Sequence, residues 1–175
     1  MLQVGSFVWW LKGEAATARD VALEALEMRP PTQEVNLLRL RAILALACEA
    51  APADRCGSPV HSLESAMRTV ANPGHPRLLL PATALARLRL QTGDAGTAAT
   101  LLDDAMQASA AELGHDHPQW RAAQLWRALA LARQGDCADA HRLHREALDG
   151  AGDSRSPWLR EARVAWLNRN ACKGD

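Results

Sequence analysis

The sequence contains no Tyr and one Phe, and Val, Ile and Thr together number only 15 of its 175 residues. Strands are built from β-branched and aromatic side chains, so a sheet protein is close to excluded. Net charge is missing as well, with 20 basic residues balancing 20 acidic ones. Such a chain carries no field to hold a polyanion, and no nucleic-acid partner is expected. Cys48, Cys56, Cys137 and Cys172 form no CxxC pair and no Cys/His cluster. That removes a zinc framework and a disulfide-dense scaffold, and leaves reduced thiols in a cytoplasmic protein as the expectation. The apolar opening, about ten residues at 2–11, lacks the basic flank of a signal peptide, and no later run is long enough for a bilayer, so no membrane partner is expected.

What the chain does have is Ala and Leu, 35 and 26 of them. Both lead the helix-propensity ranking, and the fold class expected is all-α with closely approaching, Ala-lined helices. Eighteen of the twenty cations are Arg, which suits bidentate contacts to carboxylates or phosphates and equally suits a biased composition.

Laid on itself, the chain repeats. His75-Pro76 recurs as His117-Pro118, Gly93-Asp94 as Gly135-Asp136, and Ala98, Leu101 and Ala105 as Ala140, Leu143 and Ala147, every pair 42 apart. Gly13-Glu14, Ala18 and Ala25 precede Gly93-Asp94, Ala98 and Ala105 by 80, and Leu63, Ala66 and Met67 precede Leu102, Ala105 and Met106 by 39. Each unit reads as a helical hairpin. Proline opens the first helix behind a capping His, glycine ends it in a left-handed turn, and aspartate opens the second helix. Ala seven apart marks two turns on one face, where the second helix approaches the first. Helices are expected at about 2–12, 14–28, 32–50, 60–71, 76–92, 95–112, 118–134, 137–150 and 156–170. Loops fall at 29–32, 51–59, 72–74, 114–117 and 150–156, and 51–59 is the irregular one.

This pattern resembles the tetratricopeptide repeat. Its small-residue positions fall on Ala86, Ala98 and Ala105, on Ala128, Ala140 and Ala147, and on Ser6, Ala18 and Ala25, and Pro30 stands at its closing proline. The run Leu113-Gly114-His115-Asp116-His117-Pro118 looks like the 42-residue variety of kinesin light chains and bacterial multidomain regulators. HEAT and armadillo arrays share the period but not the glycine-acidic turn. The resemblance implies an α-solenoid of about four hairpins, with units at 2–30, 32–72, 75–112 and 117–152 and a capping helix at 156–170. The chain then reads as one repeat domain, suited to be a segment of a larger protein. The asparagine pair that clamps peptides in that variety is replaced by Thr83-Ala84 and Leu125-Trp126.

The function implied is a non-catalytic module that binds a peptide or helix in a concave groove, within a bacterial signalling protein. The alternatives are a ligand- or signal-peptide-sensing repeat and a structural oligomerisation domain. First helices line the groove in such arrays, and the register gives Arg41, Thr83, Arg87, Leu90, Leu125, Trp126, Leu129 and Arg133 as its candidates. In the cap, Arg160, Glu161, Arg163 and Arg169 are expected outward and Trp158, Val164, Ala165 and Leu167 inward. The remaining tryptophans read as core or interface. His115, Asp116, His117, His141 and His144 could gather a metal, but capping suffices to explain the first three. No nucleophile elbow, phosphate loop or HExxH helix occurs, and neither an enzyme nor a cofactor is expected.

Overall fold

A computed structural model describes residues 8, 10, 12–28, 33–70, 75–149, 156–169 and 172, which are mostly helical with no strand among them. In chain order the helices are α1 (Ala15–Met28), α2 (Glu34–Ala50), α3 (Pro59–Arg68), α4 (Leu79–Gln91), α5 (Ala95–Leu113), α6 (Pro118–Gln134), α7 (Cys137–Asp149) and α8 (Pro157–Arg169). Short 3₁₀ turns occupy Asp54–Cys56 and Pro76–Leu78. Of the expected helix at 2–12, Val8, Trp10 and Lys12 are helical. Ser6, Trp9, Pro30 and most of the loops at 29–32, 72–74 and 150–156 lie outside the described residues. The chain divides into two compact units, Met1–Pro73 and Gly74–Asp175.

The first unit packs α1 and α3 on α2. Ala22 and Ala25 of α1 meet Leu40, Leu44 and Cys48 of α2 in a buried cluster that includes Leu23. Small side chains on α1 let the two helices approach closely. The irregular segment after α2 is fixed at three points. Cys48 is disulfide-bonded to Cys56, Arg55 pairs with Glu27 at 2.7 Å, and Arg19 Nη1 donates to the Ala51 carbonyl at 2.7 Å.

In the second unit each of α4 to α6 packs on its successor, and α4 and α8 also pack on α6. The repeat is visible bond for bond in the turns. Asp94 N–H donates to the Arg89 carbonyl at 2.9 Å, and Asp136 N–H to that of Leu131 at 3.0 Å. Both are the six-to-one bond of a helix closed by a left-handed residue, and Gly93 (φ 85°) and Gly135 (φ 86°) supply that residue. The carboxylate of Asp94 then accepts from Thr97 N–H at 3.2 Å, which satisfies a free donor of α5 and stabilises it by about 1 kcal/mol. His75 Nδ1 accepts from Arg77 N–H and His117 Nδ1 from Gln119 N–H, so the histidines before Pro76 and Pro118 do cap. Ala86, Ala98, Ala128, Ala140 and Ala147 are completely buried, as expected of packing positions, whereas Ala105 is half-buried at the edge of the core.

The cysteines correct the sequence reading. Cys137 is bonded to Cys172 as Cys48 is to Cys56, and no free thiol remains. Separations of 8 and 35 residues match no framework spacing, because folding brings each pair together. The cytoplasmic expectation rested on reduced thiols and loses that support. Among the described residues no helix is long and apolar enough to cross a membrane.

Candidate functional site

The eight groove candidates are distributed over both units. Arg41 is half-buried on α2 in the first unit, and the other seven belong to the second. Leu90, Leu125 and Leu129 are core, not groove. Helices α4 and α6 have neighbours on several sides and bury nearly their whole circumference, so their leucines have no outward face to occupy. The Thr83 hydroxyl donates back to the Leu79 carbonyl at 2.7 Å.

The two groove arginines of this unit are also engaged. Arg87 is only 7% exposed and holds the Glu161 carboxylate of α8 through both terminal nitrogens, at 2.8 and 2.7 Å. Its guanidinium lies 4.8 Å from the ring centroid of Trp126, which is buried beneath it. The arginine is thus a tie between α4 and α8 across an aromatic face, an arrangement Lys could not reproduce. Arg133 is exposed but donates to the Leu90 carbonyl near the end of α4. Helix C-termini leave carbonyls without intrahelical donors, and cations there are favoured by the backbone dipoles. Arg121 serves α7 likewise, with Nη1 donating to Glu146 and Ala147 carbonyls at 3.1 and 3.2 Å.

A concavity in the second unit lies instead between α5, α6 and α7, a cleft of about 750 Å³. Met106, Ala110, Trp120 and Leu143 give it apolar walls, and Gln107, Gln124 and Glu146 line it with amides and a carboxylate. Trp120 is fixed by its indole N–H on the Met106 carbonyl at 3.3 Å, and His115 stacks on it at 4.4 Å with rings 11° from parallel. Asp103 pairs with Arg127, and Asp116 with Arg121. The Gln124 amide reaches the Glu146 carboxylate at 3.4 Å. Sequence reasoning missed this cleft because its lining comes from three helices in a register that only packing reveals. The one local signal was His115 and Trp120, on either side of the Pro118 helix start.

His141 and His144 gather on Trp166 rather than on a metal. His144 stacks on the indole at 4.3 Å, His141 meets its edge at 5.6 Å, and His141 Nε2 lies 3.0 Å from the Cys172 carbonyl. Burial, then the nearby His141 and Arg163 charges, hold the His144 imidazole below its ordinary range. Among the described residues, no three His, Cys, Asp or Glu side chains converge as a metal set.

The cap is phased differently from expectation. Leu159, Ala162, Ala165 and Trp166 are buried, whereas Val164 is 51% and Leu167 74% exposed. Arg160 and Arg169 are exposed as expected, Trp158 and Arg163 are half-buried, and Glu161 is turned towards Arg87. Apolar residues occur on both sides of α8, so the large Trp166 and the Glu161 ion pair decide which side faces inward. Comparison with known proteins finds no family model that matches the chain and no curated protein significantly similar to it.

Proposed function

We propose that the chain is a non-catalytic helical-repeat module of tetratricopeptide-like hairpins, and that it binds a segment of a partner protein in the cleft between α5, α6 and α7. The observation that carries this reading is the cleft itself. Its walls pair apolar surface for a side chain with Gln107 and Gln124, whose amides can bond a peptide backbone, the combination typical of recognition sites. Bond-for-bond recurrence of the Gly-Asp turns supports the repeat reading, in which α4–α5 and α6–α7 are successive hairpins. The balanced charge favours a protein partner over a nucleic acid. Two disulfides favour work in an oxidising compartment over the cytoplasm.

A random peptide library selected on the intact, oxidised chain tests the proposal. Selected peptides should protect α5 to α7 from hydrogen exchange and should lose on the order of tenfold or more in affinity when Gln107 and Gln124 are both changed to Ala. Peptides that bind the double variant equally well would refute the cleft. A volume of about 750 Å³ also lies in the small-ligand range, so a metabolite library in the same assay distinguishes a sensing role.

A further inference from the structure

Helices α7 and α8 both pack on α6, and side chains join them to each other in antiparallel order. Cys137 at the start of α7 is bonded to Cys172 beyond the end of α8. One turn along α7, the His141 imidazole donates from Nε2 to the Cys172 carbonyl at 3.0 Å. A turn further, His144 lies flat on the Trp166 indole at 4.3 Å, and His141 meets the edge of the same ring at 5.6 Å. Arg163 stands three residues before Trp166, on the same side of α8. Burial and the neighbouring His141 and Arg163 charges hold the His144 imidazole below its ordinary range, so the guanidinium and both rings act on one another.

This group has no counter-charge among the described residues. The other buried or half-buried arginines of the second unit each pair with a carboxylate there, Arg87 with Glu161, Arg89 with Asp94, Arg121 with Asp116 and Arg127 with Asp103. Arg163 is half-buried too, yet its Nε is sealed from water without an acceptor, and it makes no ion pair with a described residue. The acids of the two helices are directed elsewhere. Glu161 is held by Arg87, Asp139 and Glu146 are held by Arg142, and Asp149 does not act on His144. Helix α6 sends no charge to His144 either. Taking a cation out of water without supplying an acceptor is costly, so the exception at Arg163 calls for an acceptor that the described residues do not provide.

We propose that Arg163, His144 and His141 form a binding site for a phosphate or sulfate group at the seam between α7 and α8. Arg163 brings a guanidinium fork from α8, and the imidazoles bring donors from α7. His141 keeps Nε2 on the Cys172 carbonyl and offers Nδ1, while the His144 nitrogens have no partner among the described residues. Donors arriving from two helices suit a tetrahedral dianion better than a flat carboxylate, which one arginine satisfies by itself. All three side chains are half-buried and so open to a ligand, whereas Trp166 is buried and fixes both rings. Binding takes up protons, because an imidazole donates from both nitrogens only when charged, and affinity rises as pH falls. None of these residues lines the cleft between α5, α6 and α7, so the site is independent of peptide binding there.

The probe is inorganic sulfate, which stays doubly charged across the imidazole range, added at constant ionic strength to the intact oxidised protein while side-chain NMR follows the imidazole and guanidinium signals. Saturable shifts are expected at His141, His144 and Arg163 and not at the capping His75 and His117. Affinity should be on the order of tenfold higher at about pH 5.5 than at about pH 8, a comparison that needs no variant. It should fall on the order of tenfold or more in Arg163→Gln and only severalfold in Arg163→Lys. His144→Phe keeps a ring on Trp166 and should lose most of the pH dependence. Unchanged circular dichroism and melts in chloride buffer confirm that the variants fold. Inorganic phosphate and methyl phosphate then separate the sources: equal affinity assigns the site to a phosphate group carried on a larger molecule, and weaker binding of the ester to the free ion. Absence of saturable shifts, equal shifts at His75 and His117, equal affinity at the two pH values, or undiminished binding by Arg163→Gln overturns the proposal.

Discussion

The two disulfides give the sharpest quantitative test, because they close loops of very different length. Cys137 and Cys172 are 35 residues apart, and Cys48 and Cys56 are 8 apart. A cross-link restricts the unfolded chain by an entropy that grows with the logarithm of the loop, giving at 25 °C about 3.8 kcal/mol for the longer loop and about 2.5 kcal/mol for the shorter. Ellman's reagent should first find no free thiol in the oxidised, denatured protein. Urea unfolding of Cys137→Ala/Cys172→Ala and Cys48→Ala/Cys56→Ala double variants then measures each contribution. The 137–172 pair should cost more, by about 1 kcal/mol. Four titratable thiols in protein purified from an oxidising compartment would refute the pairing. Equal losses, or a larger loss at 48–56, would refute the loop-length reasoning.

Three further outcomes follow from packing and charge. Ala140 is completely buried and Arg145 exposed, so denaturant melts should show Ala140→Leu destabilising by on the order of 1–3 kcal/mol through overpacking and Arg145→Leu nearly neutral. Glu161→Gln should destabilise by roughly 2 kcal/mol, less than the loss of a fully buried partner because a third of Glu161 is in water, and Arg87→Met in the same background should recover part of that in calorimetric melts. His144 has a depressed folded-state pKa, so the unfolded state binds its proton first. Its contribution is fully present above the ordinary value near 6.5, falls as pH drops through the folded-state value, and should be absent from the pH–stability curve of His144→Phe.

Helix boundaries were legible because the signals are local. His-Pro starts and Gly-Asp turns act through bonds within a few residues, and they hold at His117-Pro118 and Gly135-Asp136. The faces of the helices were less legible. Assigning Leu125 and Leu129 to a groove assumed that α6 has one inner side, whereas neighbours surround it and every leucine on those turns is enclosed. On α8, Val164 and Leu167 are as apolar as Leu159, and no periodic pattern says which set faces inward. The disulfides carried no spacing signal, and Arg87 reads in sequence as a free cation because its partner is 74 residues away.

That ion pair has a consequence for how the second unit opens. In a stack where each element touches only its neighbours, an end helix frays independently and the rest survives. Here α8 cannot leave without stripping the counter-charge from Arg87 of α4 and uncovering Trp166 from the core shared with α6. Amide protons of α4, α6 and α8 should therefore exchange together, with one opening free energy, and the segment from α4 to α8 behaves as a single cooperative block rather than a chain of separable rungs.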